Sequence, residues 1–326
     1  MSSIPYSRYL VGSIPWYSIL IVTGVVLAIA LACHEERRAG LPRDTVIDLA
    51  LWLLPFGIAG ARIYYVVFSW GSFRNDLLSV FRIWEGGLAI YGGIIAGVIV
   101  LLVFCRVRKM RPLPLCDIIV PGLALAQCIG RWGNWFNMEA YGFTVTDPRL
   151  CFFPFAVQIP ADGYAWHLAT FFYESLWDFL VFLWLIIARR KLFSRNGDAF
   201  FSYLFLYGAG RLVIEQMRTD SLYAGSSVRV SQVLSMFLCL FVLLRYTRIL
   251  YRSGRSAALC FTAVPLAAAI SVFVLLYTLT GAFLSSLPVS SVIPVLAACA
   301  LLMILVFIAV FLSVRSVEVR HADDMD

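Results

Sequence analysis

The sequence predicts an all-α fold, a polytopic integral membrane helical bundle, and three observations carry that expectation. Hydrophobic residues make up 61% of the 326-residue chain and charged residues only 14%, where an ordinary soluble domain carries about a quarter charged residues. Apolar runs approaching the thickness of a bilayer recur along most of its length. The basic residues collect in alternate connections between those runs.

Nine runs qualify as candidate spans, at roughly 14–33, 46–68, 87–105, 113–130, 168–188, 199–216, 230–250, 258–282 and 291–314. The fourth and sixth are the least clean, because each leads into a polar motif. The net charge of +7 invites a nucleic-acid reading, but the placement of the basic residues excludes it. Arg37, Arg38 and Arg43 follow the first run, Arg106, Arg108, Lys109 and Arg111 the third, and Arg189, Arg190, Lys191 and Arg195 the fifth. Arg245, Arg248, Arg252 and Arg255 follow the seventh, and Arg315 and Arg320 lie in the tail. These are 17 of the 26 Lys and Arg residues, and by the positive-inside rule they set the N-terminus outside and the C-terminus in the cytoplasm. An odd number of spans agrees with that.

The first run could instead end a signal peptide, since ALAC at 30–33 offers small residues before a cysteine. Its basic residues follow the apolar stretch, whereas a signal peptide carries them in front, so an uncleaved first span is expected. None of the eight cysteines forms a CxxC pair and only Cys151 falls in an outer connection, so a disulfide framework is not expected. The histidines His34, His167 and His321 are scattered, and neither a metal nor another cofactor is expected.

Two longer connections, 69–86 and 131–167, fall on the outer side. In the first, Leu77, Leu78, Phe81, Ile83 and Trp84 alternate with Arg74, Asp76 and Arg82. That pattern suits either an amphipathic element lying in the interface or a plain surface loop. The third run holds Gly86, Gly87, Gly92, Gly93 and Gly97, the last two at GxxxG spacing, which serves close helix packing or a lipid groove. Beyond residue 255 the runs carry no buried charge. The expected organisation is therefore a membrane-embedded core over 1–255, followed over 256–326 by two additional transmembrane helices and a short cytoplasmic tail.

A charge at the middle of a membrane helix costs about 2.5 to 3.5 kcal/mol on insertion scales. Asp48, Arg62, Glu85, Asp117, Arg131, Glu139, Glu174, Asp178, Arg211 and Glu215 all fall within spans or near their ends. In GRWGNWFNME, Arg131, Asn134 and Asn137 recur every third residue, so a helical backbone turns a guanidinium and two amides toward one side. Such a donor surface suits a phosphodiester; equally, Arg131 could pair with Glu139 or Asp117 and pin the bundle. Tyr203, Tyr207, Arg211, Glu215 and Arg218 form a polar stripe on the sixth run, with Arg211 and Glu215 placed to pair internally. HLATFFYESLWD adds His167, Tyr173, Glu174 and Asp178. His167 is the histidine placed to titrate near an outer site, although a satisfied interfacial histidine is the commoner case.

Taken in order, WYSIL, GIAGARIYYVVF, IWEGGLAIYGG, GRWGNWFNMEAYG, FFYESLWD and YGAGRLVIEQMRTD give the chain a resemblance to bacterial prolipoprotein diacylglyceryl transferases over about residues 10–250. The resemblance implies a seven-span core with two extra C-terminal spans, in the bacterial inner membrane. It implies transfer of the diacylglyceryl group of phosphatidylglycerol to the thiol of the lipobox cysteine in a preprolipoprotein signal peptide. A thioether forms and glycerol phosphate leaves, the first step of lipoprotein maturation. The family's essential phosphatidylglycerol-binding arginine matches Arg131 and its second essential arginine Arg211. Tyr17, Asn134, Glu139, Gly142 and Glu215 also fall on its motif positions, and Asn137 extends the donor surface beside them.

Tyr91 stands where some members of the family carry a catalytic histidine, and HLATFFYE differs in spacing from the family's His-Pro form. The reaction needs a proton acceptor for a thiol of pKa about 8.5 and fixed cations at the leaving phosphate. The reading assigns the lipid phosphate to Arg131, the leaving phosphate to Arg211, the orientation of Arg211 to Glu215, and the proton to Glu139, His167 or Tyr91. A transporter or flippase for an anionic lipid or solute is the alternative, since it also wants buried arginines. Against it, no inverted repeat is visible and the motifs gather near outer span ends.

Overall fold

The structure, a computed structural model, describes residues 7–220, 223–224, 228–252 and 289–323. Helices account for most of it: α1 (Trp16–Arg38), α2 (Thr45–Phe68), the single-turn α3 (Trp70–Phe73), α4 (Ile90–Val107), α5 (Pro112–Asn137), α6 (Thr170–Lys191), α7 (Asp198–Ile214), α8 (Val230–Arg252) and α9 (Val289–Asp323). Seven helices among the described residues are long and apolar enough to cross a membrane, so the chain is a polytopic helical membrane protein. The run at 199–216 becomes α7, which has 17 residues and falls at the short end of a span. The run at 258–282 lies outside the described residues.

The local chemistry of the helix ends is legible. Pro112 opens α5 at a position where its missing N–H costs nothing. Arg37 and Arg38 end α1, and Arg189, Arg190 and Lys191 end α6, where cations complement the exposed carbonyls of a last turn. The all-α expectation needs one correction, because three two-stranded antiparallel hairpins are present: β1 (Tyr9–Val11) with β2 (Ile14–Pro15), β3 (Ala156–Ile159) with β4 (Ala165–Leu168), and β5 (Tyr223–Ala224) with β6 (Val228–Arg229). All lie in connections outside the apolar helices, where backbone groups released from helices must find partners nearby.

Two compact units emerge, 1–26 with 123–326, and 27–122, the boundaries falling within α1 and α5. In the first unit α7 packs against α6, α8 and α9. Phe307 of α9 stacks on Phe205 of α7 with ring centroids 4.7 Å apart, and Tyr246 of α8 meets Phe311 edge-on. Gly210 lets the Trp177 indole lie against the α7 backbone, since a Cβ there would sit 2.1 Å from Trp177 Nε1. That indole donates to the Leu206 carbonyl at 2.9 Å. Most residues of α7 are buried, because other helices enclose it, and its one polar stripe faces α5 and α6.

In the second unit α2 and α4 form the principal helix pair. Their tightest approach is not at the GxxxG pair: a Cβ on Gly92 would lie 2.3 Å from the Gly60 carbonyl oxygen, whereas one on Gly97 meets nothing closer than Leu53 at 3.7 Å. Leu49, Phe104, Cys105 and Leu115 form one apolar cluster, and Ala32, Val46 and Ile118 another. Arg62 is buried and spends its guanidinium on backbone, donating to the carbonyls of Ser79 (2.6 Å), Val80 (2.8 Å), Gly86 (2.6 Å), Gly87 (3.0 Å) and Arg82 (3.3 Å). Its face also covers the Phe73 ring at 5.2 Å. The loop it holds is two 3-10 turns, Leu77–Phe81 and Ile83–Glu85, with Phe81 and Trp84 74% and 77% exposed.

Arg62→Gln is expected to lower the unfolding free energy by about 3 kcal/mol, because several carbonyls lose a charged donor together. The Gly92→Ala variant should lose about 1 to 3 kcal/mol through overpacking against α2. Thermal unfolding of the full chain in detergent micelles checks both.

Candidate functional site

The polar side chains of α5, α6 and α7 meet within the first unit. The four-residue spacing of Tyr203, Tyr207 and Arg211 sets them in line along α7, with the two tyrosine rings stacked 5.7 Å apart. Tyr203 Oη donates to Gln127 Oε1 of α5 at 2.9 Å. At the end of the line Arg211 Nη2 lies 2.8 Å from Glu215 Oε2, the internal pair the spacing predicted.

The centre of the arrangement is Glu174 of α6. Its Oε2 lies 2.9 Å from Arg131 Nη1, its Oε1 pairs with Arg211 Nη1, and Arg218 Nη1 reaches Oε1 at 3.3 Å. Glu174's side chain is 5% exposed, against 21% for Arg131, 18% for Arg211 and 11% for Arg218. The carboxylate is therefore the floor of the site and the three guanidiniums are its accessible layer. Asp178, one turn along α6, puts Oδ2 4.0 Å from Arg131 Nε; among the described residues that buried oxygen has no hydrogen-bond donor. Arg131 thus pairs with Glu174 and Asp178 and not with Glu139. Arg218 closes the edge through Asp220, with Nη2–Oδ2 2.8 Å and Nε–Oδ1 2.9 Å. Partial burial opposes ionisation of Asp220, but the hydrogen bonds and charge of Arg218 hold its carboxyl below the usual range.

Asn134, Asn137 and Glu139 form a second group. Both amides donate to Glu139 Oε1, at 2.9 and 3.1 Å, and Arg8 Nε donates to Asn137 Oδ1 at 3.1 Å. The chain leaves α5 through left-handed backbone at Met138 and Ala140, a conformation rare for residues with a side chain. That turn brings Glu139 back to the amides. Tyr17 of α1 lies across α5 at Gly133, where a Cβ would meet its ring at 2.4 Å. Gly142 works through its backbone: it bridges to Arg218 and donates to the Leu168 carbonyl at 2.9 Å. A Cβ there would lie 2.6 Å from the Met217 carbonyl oxygen.

Among the described residues His167 makes no ion pair or hydrogen bond with the arginines' carboxylate partners or with the arginines themselves. It is buried in β4, with Nε2 2.8 Å from Asp162 Oδ2, Nδ1 3.0 Å from the Gly142 carbonyl oxygen, and its ring 4.8 Å from Tyr141. Tyr91 lies in the first turn of α4, in the second unit. Sequence reasoning placed Glu174, Asp178 and Arg218 among the polar residues but did not give them the centre of the site. The signal that could have found them is electrostatic: several arginines at membrane depth require a common anion.

The family model described as prolipoprotein diacylglyceryl transferase matches residues 8–248. Among curated relatives, the phosphatidylglycerol–prolipoprotein diacylglyceryl transferase of Limosilactobacillus reuteri is 46% identical over 232 residues, 69% of this chain and 82% of the relative. The proteins of the same name in Streptococcus equi subsp. equi and Listeria innocua are 45% identical over 229 residues and 42% identical over 244. These cover 69% and 74% of this chain, and 87% and 86% of the relatives.

Glu174→Gln would leave three guanidiniums facing one another, and a loss of about 3 to 5 kcal/mol is expected, as for other broken buried pairs. Asp220→Asn, whose carboxylate is 44% exposed, should cost less than about 1 kcal/mol. Thermal unfolding of both variants in micelles checks the contrast, and equal effects contradict the anchoring role of Glu174.

Proposed function

The chain belongs to the prolipoprotein diacylglyceryl transferase family, and we propose that it transfers the diacylglyceryl group of phosphatidylglycerol to the lipobox cysteine of preprolipoproteins. The observation that carries this reading is the layer of Arg131, Arg211 and Arg218 over the buried Glu174. Glu174, Asp178, Glu215 and Asp220 pair with these three cations, so what the layer offers a phosphate is fixed N–H donors and not net charge. Donors of that kind stabilise developing charge most, because they need no reorganisation as the reaction proceeds.

In the proposed step the cysteine sulfur bonds to the glyceryl carbon that carries the phosphate, the carbon–oxygen bond to that phosphate breaks, and glycerol phosphate departs with the electron pair. Arg131 holds the lipid phosphate. Its ion pairs use Nη1 and, at longer range, Nε, leaving further donors of its five for the ligand. Arg211, anchored by Glu174 on one side and by Glu215 on the other, meets the charge that grows on the leaving group. Asn134 and Asn137 extend the donor surface, Tyr17 walls α5, and Gly142 keeps the neighbouring backbone close.

The thiol proton goes to Glu139 in preference to His167. Glu139 Oε1 holds the two amides and among the described residues Oε2 accepts no hydrogen bond, whereas both His167 ring nitrogens are engaged. Tyr91 is the further candidate acceptor. The proposed setting is the inner membrane, with the N-terminus outside, the C-terminus cytoplasmic, and α9 as a span added to a seven-span core.

Purified full-length protein, labelled phosphatidylglycerol and a synthetic lipobox peptide test the proposal. The peptide is expected to gain a thioether-linked diacylglyceryl group, and a Cys→Ser peptide is expected to gain nothing. Arg131→Ala and Arg211→Ala should each lower kcat/KM by about 100- to 1,000-fold, the range seen when one preorganised donor is removed. Of the acceptor variants, Glu139→Gln should slow transfer more than His167→Asn or Tyr91→Phe. An unmodified peptide, or transfer by Arg131→Ala at the parent rate, overturns the reading.

A further inference from the structure

The C-terminal half of α8 carries a group of arginines that the proposed chemistry does not use. Arg245, Arg248 and Arg252, at helical positions i, i+3 and i+7, share one face. With Phe241, Leu244 and Ile249 they line an open groove of about 500 Å³. Among the described residues none of the three has a carboxylate partner, so three like charges stand one turn apart with nothing to offset their repulsion.

Two features set the groove apart from an ordinary run of basic residues at a span end. The Arg245 guanidinium lies 4.1 Å above the Phe201 ring, which fixes its position, and its Nε is buried with no acceptor among the described residues. A buried N–H without an acceptor is destabilising, so Arg245 carries an unmet donor beside the groove. The other wall is apolar, with Phe241 56% and Leu244 52% exposed. A role in setting topology needs positive charge near the end of a span, but it accounts for neither the groove nor the orphaned donor. A free phosphate would satisfy the arginines and leave the apolar wall without a use.

We propose that this groove binds an anionic phospholipid, the phosphate held by Arg245, Arg248 and Arg252 and an acyl chain laid against Phe241, Leu244 and Ile249. The lipid comes from the leaflet that borders the C-terminal end of α8. The site is separate from the Glu174 cluster and does not depend on the activity assigned there.

Native mass spectrometry of the full chain in micelles doped with phosphatidylglycerol or phosphatidylcholine tests this, with Arg131→Gln as background so that lipid held at the arginine layer does not contribute. Neutralising all three residues as Arg245→Gln, Arg248→Gln and Arg252→Gln is expected to weaken retention of phosphatidylglycerol by at least about tenfold, while the corresponding lysine variants keep most of it. Retention of phosphatidylcholine should not change. If the triple glutamine variant fails to fold, Arg248→Gln alone, at an exposed position, should weaken retention by about threefold. Equal retention in the parent and the glutamine variant overturns the site. Displacement of the lipid by millimolar inorganic phosphate also overturns it, in favour of a site for the free anion.

Discussion

Guanidiniums repel one another, and in a membrane little water is at hand to screen them. Arg131, Arg211 and Arg218 nevertheless meet, because Glu174 supplies one buried carboxylate that all three share. Much of the first unit is arranged to present that carboxylate. Gly210 admits Trp177, which sets α6 against α7, and Gly142 lets the chain beyond α5 close on the segment that carries Arg218. The arrangement is one of mutual dependence, since neither the glutamate nor the arginines could be buried alone.

The same sharing shapes how an anion is received. Every guanidinium in the layer already has one edge turned to a carboxylate, so its orientation is set before a ligand arrives. In the proposed reaction a phosphate would meet donors whose side-chain freedom has been spent on folding, which would favour the state in which charge is greatest over the state in which it is spread.

What the sequence makes legible divides by range. The apolar runs within the described residues translate into helices because length and hydropathy are local properties, and Arg211–Glu215 was readable from a four-residue spacing. The pairing of Arg131 with Glu174 spans 43 positions and was not, since it depends on which faces of α5 and α6 meet. Gly93 and Gly97 matched a packing motif, yet the close approach is at Gly92 and Gly60, because the partner helix decides which small residue is used. The β3–β4 hairpin was missed for a related reason. Its residues give weak local signals, and its register, with Val157 opposite His167, is set by what surrounds it. His167 itself has both ring nitrogens bonded, to Asp162 and to the Gly142 carbonyl.

Arg62 and the Glu174 cluster offer two ways of burying a guanidinium, and the difference reaches beyond geometry. Around Arg62 the compensating groups in contact are backbone carbonyls, which bear no titratable proton. Around Glu174 they are carboxylates. A backbone carbonyl belongs to the chain whatever side chain its residue bears, whereas a side-chain carboxylate is one substitution away from removal, so a point mutation can undo the Glu174 cluster in a way that it cannot undo the carbonyl ring around Arg62. One arrangement is open to adjustment by sequence change and the other is largely indifferent to it.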